Sequence, residues 1–324
     1  WSRMIGSIPT DTPEQQARNR KLRQALSIAV DWEEFVRVFE SKAAGEPAMS
    51  PVPPGVFGFR PDLVNPVVYD VVDGKPKRKS IEEAKRLLAE AGYPGGRDAK
   101  TGRPLVLNYD YQRALTPELK AEVEWMARQF AKINVQLEIR ATDNNQFQDK
   151  VRKGKYQVFW LGWLADYPDP ENFLFLLYGP GAKSVHDGEN AANYQNAEYD
   201  RLYSTLRFMD DGPAKQAVID QMVRILQEDA PWSWGYFPYS SGAYHRWVRN
   251  GKPSIMVRDQ AQYYRLDTAE RSRSLQDWNH PVYWPVLAVL AVLAAMAWGA
   301  VKILRARDQQ TALPRPVSSP QRGR

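Results

Sequence analysis

Residues 105–139 read LVLNYDYQRALTPELKAEVEWMARQFAKINVQLEI and carry the pattern strand, helix, strand. Leu105–Tyr109 is an apolar strand candidate, and Val135–Ile139 alternates apolar and polar residues as a half-buried strand does. Between them, Thr116 is a helix cap and Pro117 fits the first helical position, so a helix is predicted to begin there. Because two strands joined by a helical crossover pair in parallel, this stretch predicts a parallel sheet.

The preceding part of the chain carries helix and loop signals. Residues 18–40 repeat apolar side chains at helical spacing and predict one helix. Residues 47–61 are crowded with Pro and Gly, which predicts a loop. Ser80 and Glu83 form a capping-box pattern at the start of a further helix, which Gly92 is expected to end.

The following part continues the same pattern. A short helix at 146–153 is predicted before a buried strand at 156–163, and two helices are predicted near 198–207 and 213–228. Residues 236–247 and 262–266 have the composition of late strands. The sequence therefore predicts an α/β or α+β body with a ligand cleft at the ends of its strands.

A proline-rich corner, GWLADYPDPENF, occupies residues 162–173. Its two prolines exclude a regular element, so the chain must leave the sheet there. Asp166 lies between Trp163 and Tyr167, and a carboxylate shielded by aromatic side chains suits a cationic, partly apolar ligand. An Asp before a proline-rich turn also commonly bonds backbone N–H groups of its own turn, and the residues alone leave both interpretations open.

Composition and charge exclude several classes of function. The 324 residues include no Cys, which excludes disulfides, thiolate metal sites and a Cys nucleophile. The net charge is +6, but residues 302–324 hold six Lys or Arg and one Asp, so the remainder is nearly neutral and predicts no nucleic-acid interface. His186, His245 and His280 are isolated, and nucleotide-binding and serine-hydrolase motifs are absent. We therefore predict no metal site, no cofactor and no catalytic residue.

Pro281–Val301 contains no charged residue and is rich in Leu, Ala and Val. As a helix it spans about 30 Å, the thickness of the hydrocarbon core of a bilayer. Aromatic residues mark both ends of the run, and basic residues follow directly. By the positive-inside rule, we predict a transmembrane helix at 281–304, a large domain outside the membrane and a disordered, basic cytoplasmic tail at 305–324.

The corner resembles the signature of family 5 extracellular solute-binding proteins, the oligopeptide- and dipeptide-binding components of ABC importers. Other pieces of the chain resemble patterns of that family in the same order. They are Arg23–Asp31, Pro51–Gly58, Ala84–Gly96 and Asn193–Leu202. Five ordered matches are far more specific than any one of them, and together they cover roughly residues 19 to 240.

The resemblance implies a domain organisation. Residues 19–236 would form the C-terminal, ligand-binding lobe of a two-lobed, periplasmic-binding-protein-like α/β fold (type II-like). Residues 237–277 would be strands that return to a first lobe, encoded upstream. Residues 1–18 would be an N-terminal remnant or linker, and the single transmembrane helix would follow the lobes.

The resemblance also implies a ligand site. In the peptide-binding members, the aspartate at the position of Asp166 pairs with the α-amino group of the peptide, and Trp163 would line the same pocket. Tyr167, Asn172 and Asn193 are further candidates, and each either contacts the ligand or only holds its loop. The predicted function is a membrane-anchored substrate-binding subunit of an ABC importer in the inner membrane. It is not an enzyme, and its partners are short peptides, the permease and the ATPase.

A second hypothesis belongs to another class of function. Glu171 with Asp166 or Asp169 would be a glycosidase carboxylate pair, although no second site in the sequence supports that chemistry. Four tryptophans would provide a platform for sugar stacking in a membrane-anchored carbohydrate-binding or carbohydrate-active protein. These are Trp160, Trp163, Trp232 and Trp234.

Overall fold

A computed structural model of the chain describes residues 12–40, 45–239, 241–252 and 259–311. The chain divides into two compact units. The first unit runs to Ala243 and includes Lys252–Gln260, and the second consists of Tyr244–Gly251 and the residues from Ala261 onward. The predictions for residues 1–11 and 312–324 lie outside the described residues.

The described residues of the two units form helices and strands in the following order along the chain. The α-helices of the described residues are α1 (Pro13–Ala29), α2 (Trp32–Phe35), α3 (Ile81–Glu90), α4 (Pro117–Ala131), α5 (Asn144–Arg152), α6 (Glu171–Leu174), α7 (Lys183–His186), α8 (Ala197–Leu206), α9 (Pro213–Asp229), α10 (Thr268–Trp278) and α11 (Trp284–Thr311). The strands are β1 (Gly45–Pro47), β2 (Tyr69–Val72), β3 (Lys75–Arg78), β4 (Val106–Tyr111), β5 (Gln136–Ala141), β6 (Val158–Phe159), β7 (Tyr236–Pro238), β8 (Val248–Arg249) and β9 (Arg265–Leu266).

The parallel sheet predicted from residues 105–139 is confirmed. β4 and β5 pair in parallel from Val106 opposite Gln136 to Tyr111 opposite Ala141, and α4 connects them. β6 pairs in parallel with the other side of β4, which gives the strand order β5-β4-β6. The hydroxyl of Thr116 accepts a hydrogen bond from a backbone N–H in the first turn of α4, as its position before proline predicts.

The buried strand predicted at 156–163 is wrong in its extent. Only Val158 and Phe159 pair with β4, and of the predicted strand only Tyr156 is buried. β6 is an edge strand in this sheet, so one of its sides has no neighbouring strand among the described residues. Pairing with β4 ends at Phe159, and Leu161 beyond it is 47% exposed.

The single helix predicted over residues 18–40 is divided into three segments. Thr12 and Asp31 are separate N-caps, and each side chain accepts a hydrogen bond from the backbone N–H three residues on, at 3.2 and 2.9 Å. α1 therefore begins at Pro13, and α2 begins after Asp31 as a new helix. A five-residue π-helix, Val36–Glu40, follows α2.

The late part of the chain contains less strand than predicted. Among the described residues, strand pairing at 236–247 is limited to β7, which pairs antiparallel with β1, and at 262–266 to β9, which pairs with β8. Residues 268–277 form most of α10 rather than strands. Asp267 explains the helix, because its carboxylate accepts a hydrogen bond from the backbone N–H of Glu270 and caps the first turn.

Two large hydrophobic clusters build the first unit. The first core lies between the sheet and the helices α1, α3 and α4, and includes Leu22, Leu88, Leu107, Phe130 and Ile133. The second core is mostly helical, formed by α6, α8, α9 and the loop after β1, and includes Leu177, Tyr199, Leu206, Ile219 and Met222. A small third cluster consists of Phe147, Val151, Tyr156 and Ala191.

The apolar run at the C-terminal side is helical. Within the described residues, Trp284–Gln309 of α11 is long and apolar enough to cross a membrane, and an 18-residue window of it has a mean hydropathy of 2.2 with none of that window buried. The helix continues to Thr311, so residues 305–311 are helical where a disordered tail was predicted. Arg, Ala and Gln dominate this part of the sequence and are good helix formers, so the helix continues through them.

Candidate functional site

The chain passes from the first core to the second core within the corner at 162–173 and the residues before it. Trp160 packs against the first core, with its ring centroid 5.3 Å from that of Trp32. Trp163 packs against the second core, edge-on to Phe175 with ring centroids 5.4 Å apart. The corner is therefore fixed by packing on both sides, although it contains no regular strand.

Asn172 holds the corner together. The residue is 2% exposed, and its Oδ1 accepts hydrogen bonds from the indole N–H of Trp163 at 3.1 Å and from the backbone N–H of Asp166 at 2.9 Å. Three of the five predicted site residues are thus brought together by one side-chain oxygen. In this arrangement Asn172 is a positioning residue, because its oxygen is already used within the loop.

Asp169 is engaged inside the protein. Its Oδ1 accepts a hydrogen bond from the backbone N–H of Glu171 at 2.8 Å, and its Oδ2 from the ammonium of Lys215, also at 2.8 Å. Lys215 is 3% exposed and also donates to Asp211 at 2.9 Å. Burial alone lowers the pKa of Lys215, but the hydrogen bonds to the two carboxylates outweigh it, and the net pKa is raised.

Glu171 is engaged as well. Its two carboxylate oxygens accept hydrogen bonds from the hydroxyls of Tyr167 and Tyr203. Burial, and then the Glu171 carboxylate, raise the pKa of both tyrosines, so both remain donors at neutral pH. The ring of Tyr167 is 45% exposed, but its hydroxyl is directed to Glu171 rather than left available. Because Asp169 and Glu171 are both occupied, the corner does not present a free glycosidase-like carboxylate pair.

Asp166 is the exception among the acidic residues of the corner. It is exposed, and within the described ranges its carboxylate has neither a hydrogen-bond partner nor an ion-pair partner, although its backbone N–H is bonded to Asn172. The turn-capping role proposed for an Asp in this corner is filled by Asp169. Asp166 is therefore available for a ligand cation.

Asn193 belongs to a different network. It is 3% exposed and has a left-handed backbone with φ of 48°. Its Oδ1 accepts hydrogen bonds from the backbone N–H and the hydroxyl of Ser184 at 2.9 and 2.8 Å, and its Nδ2 donates to the hydroxyl of Tyr156. These hydrogen bonds of Asn193 connect Ser184 of α7 with Tyr156 of the third cluster, and they are separate from the hydrogen bonds of Asn172 with Trp163 and Asp166.

A cavity of about 140 Å³ borders Trp163 on the side of the third cluster. Sequence reasoning did not identify it, although Phe147 and Val151 lie four residues apart on α5 and so share one helix face. The lining residues are Phe147, Gln148, Val151, Leu161, Gly162, Trp163, Lys183, Glu189 and Ala191. No group of three or more His, Cys, Asp or Glu side chains that could hold a metal ion occurs in the described part of the chain.

Comparison with known proteins identifies relatives of the chain. The sequence profile of bacterial extracellular solute-binding proteins, family 5 (middle), matches residues 8–184. Heme-binding protein A of Haemophilus influenzae is 29% identical over 241 residues, which cover 73% of this chain and 40% of that protein. The dipeptide-binding protein of Escherichia coli is 25% identical over 227 residues, covering 70% of this chain and 39% of that protein.

Solved structures agree with the sequence matches. HbpA2 from Haemophilus parasuis has a TM-score of 0.54 and 26% identity, over 70% of this chain and 40% of that one. A dipeptide-binding protein from a Pseudoalteromonas species, in complex with Met-Leu, has a TM-score of 0.51 and 26% identity, over 68% of this chain and 39% of that one. The chain thus spans about 40% of the length of the relatives it matches. The predicted α/β, periplasmic-binding-protein-like fold followed by one apolar helix is confirmed.

Proposed function

The chain belongs to family 5 of the bacterial extracellular solute-binding proteins, and on that premise we propose that it binds short peptides as the membrane-anchored subunit of an ABC importer. The observation that carries the proposal is the state of Asp166. It is the one acidic residue of the corner whose carboxylate has no partner in the described part of the chain. An α-ammonium group would supply the missing charge.

The surroundings of Asp166 support the same assignment. Asn172 fixes both the indole of Trp163 and the backbone of Asp166, so the carboxylate is presented from a rigid loop. Because Lys215 neutralises Asp169 and two hydroxyls bond Glu171, these neighbouring carboxylates do not compete for the ligand cation. Two relatives support the peptide class by their names, the dipeptide-binding protein of E. coli and the structure with bound Met-Leu.

We propose the domain roles on the basis of the family. Residues 19–236 would form the C-terminal lobe, residues 237–277 would lead back to a first lobe encoded upstream, and the two lobes would close on the ligand by a hinge motion. The apolar helix predicted at 281–304 would anchor the protein in the inner membrane with its tail in the cytoplasm. A permease and an ATPase would complete the importer, and the protein itself would catalyse no reaction.

Carbohydrate binding has less support. Of the four tryptophans suggested for a sugar platform, Trp160 packs in the first core and the indole N–H of Trp163 is bonded to Asn172. Trp232 and Trp234 pack edge-on against each other beside the second core, with ring centroids 5.8 Å apart. These rings are therefore used mainly in packing.

The test uses the full-length protein in detergent and isothermal titration calorimetry. We expect saturable binding of mixed di- to pentapeptides and no binding of their N-acetylated forms, because acetylation removes the ammonium charge. Asp166→Asn is expected to weaken binding by about 2–3 kcal/mol, the effect of losing a charged hydrogen bond. The matched control is Asp73→Asn, since Asp73 is an exposed acid in the β2–β3 turn with no side-chain partner in the described chain.

Two further titrations discriminate between ligand classes. Hemin, followed by its absorption spectrum, tests the ligand named for the H. influenzae relative. Oligosaccharides with Trp163→Ala test the carbohydrate hypothesis. The proposal would be contradicted if the protein bound no peptide, or if the Asp166→Asn variant bound peptides as tightly as the wild type does.

A further inference from the structure

The cavity beside Trp163 has an apolar side and a charged side. Phe147, Val151 and Ala191 of the third cluster form the apolar side. Lys183 and Glu189 form the charged side, and their side chains are 14% and 48% exposed. A cavity of about 140 Å³ is well below the ~300–1,000 Å³ of a whole small-molecule site, and close to the ~150 Å³ cavity that holds a benzene molecule. It therefore has the size of a subsite for one group of a larger ligand.

The ammonium of Lys183 is poorly satisfied. Within the described chain its side chain contacts only Glu189, at 3.3 and 3.4 Å from the two carboxylate oxygens. Charge-assisted N–H···O bonds are normally about 2.7–2.9 Å long, and an ammonium has three donors. The ammonium thus keeps donor capacity beyond this pair, and Lys183 is one of the residues that line the cavity.

The backbone that carries Lys183 is held firmly. The backbone N–H of Lys183 donates to the carbonyl of Asn190 at 3.0 Å, and the backbone N–H of Asn190 donates to the carbonyl of Gly181, also at 3.0 Å. Asn190 is fully buried, and its side chain bonds the backbone of Tyr194 in both directions. Asn193 bonds Ser184, the residue next to Lys183. A long, flexible side chain is therefore presented from a preorganised loop, as a binding site requires.

We propose that this cavity is a subsite for a ligand carboxylate, with Lys183 as its anchor and Glu189 as the counter-ion that the ligand replaces. The inference rests on the proposed peptide function and adds a second charged contact to it. Trp163 lines the cavity and lies three residues before Asp166, so the Cα atoms of these two residues are at most about 11 Å apart.

The carboxylate has two possible sources, an acidic side chain or the C-terminus of the peptide. The probes are therefore Ala-Glu-Ala, Ala-Gln-Ala and the C-terminal amide of Ala-Gln-Ala, titrated calorimetrically into the full-length protein in detergent. If the side chain occupies the subsite, Ala-Glu-Ala binds about tenfold or more tightly than Ala-Gln-Ala. If the C-terminus occupies it, Ala-Gln-Ala binds more tightly than its amide by a similar factor. In either case Lys183→Met abolishes the difference between the two probes.

Glu189→Gln is the second variant. Because it removes the competing carboxylate and keeps the shape of the side chain, we expect it to raise the affinity of the carboxylate-bearing probe several-fold. If Lys183→Met does not fold, Glu189→Gln alone tests the inference. An unchanged affinity of Glu189→Gln for the carboxylate-bearing probe overturns it. If Lys183→Met shows the same preference for carboxylate-bearing peptides as the wild type, this inference is overturned, while the proposed peptide function stands. If none of the probes binds, the proposed function fails and this inference fails with it.

Discussion

Replacing Asn172 by alanine tests whether the corner is held by one side-chain oxygen. The substitution removes the acceptor of two hydrogen bonds, one to the indole N–H of Trp163 at 3.1 Å and one to the backbone N–H of Asp166 at 2.9 Å. A net loss of about 1 kcal/mol is typical for each bond, so the corner is expected to lose about 2 kcal/mol of local stability. That loss corresponds to a roughly 30-fold larger equilibrium constant for opening of the corner.

The assay is amide hydrogen exchange measured by mass spectrometry on the segment at 162–173. In Asn172→Ala, the amide of Asp166 is expected to exchange about 30-fold faster. Asp166→Asn is the matched control, because it keeps the same backbone bond and alters only an exposed side chain, so exchange should stay unchanged while peptide affinity falls. Equal exchange rates in wild type and Asn172→Ala would refute the idea that Asn172 holds the corner.

Two other substitutions test the packing and electrostatics of the first unit. Partial burial, and then the nearby Glu40 carboxylate, raise the pKa of Glu122, so its ionisation disfavours the folded state. The stability that protonated Glu122 contributes is fully present below its unfolded pKa of 4.5, and it is lost as pH rises through its pKa in the folded protein. We therefore expect Glu122→Gln to raise the melting temperature at pH 7 but not at pH 4. A Cβ atom at Gly188 would lie 2.3 Å from the carbonyl oxygen of Gly181. Gly188→Ala is therefore expected to destabilise the loop that carries Lys183 by about 1–3 kcal/mol. The measurement is amide exchange in that loop, which should become faster.

Local signals in the sequence predicted the starts of α3 and α4. Ser80 and Thr116 are N-caps as expected, because the capping hydrogen bond needs only residues three positions apart. Even so, the reciprocal bond of the capping box is absent at Ser80, since the Glu83 carboxylate bonds Arg86 instead. The β2–β3 hairpin was missed although Asp73-Gly74, with positive φ at both residues, is a strong turn signal.

Strand lengths and the organisation of the site were harder to predict, because both depend on distant residues. The length of β6 depends on how many of its residues pair with β4, and no pattern within residues 156–163 indicates that number. Asn172 was identified, but its burial and its two bonds follow from packing on the second core. Lys215 was not identified, because it is 46 residues from Asp169 and belongs to no motif.

The two proposed contacts together favour a zwitterionic ligand. Asp166 is an exposed carboxylate without a partner in the described chain, three residues after Trp163, and Lys183 is an ammonium paired with Glu189 in the cavity that Trp163 lines. A neutral sugar would exclude water from the Asp166 carboxylate without supplying a counter-charge, and an unpaired charge is costly to desolvate. A dianionic ligand would satisfy Lys183 and be repelled by Asp166. A short peptide with a free amino group and a carboxylate would satisfy both of the proposed contacts.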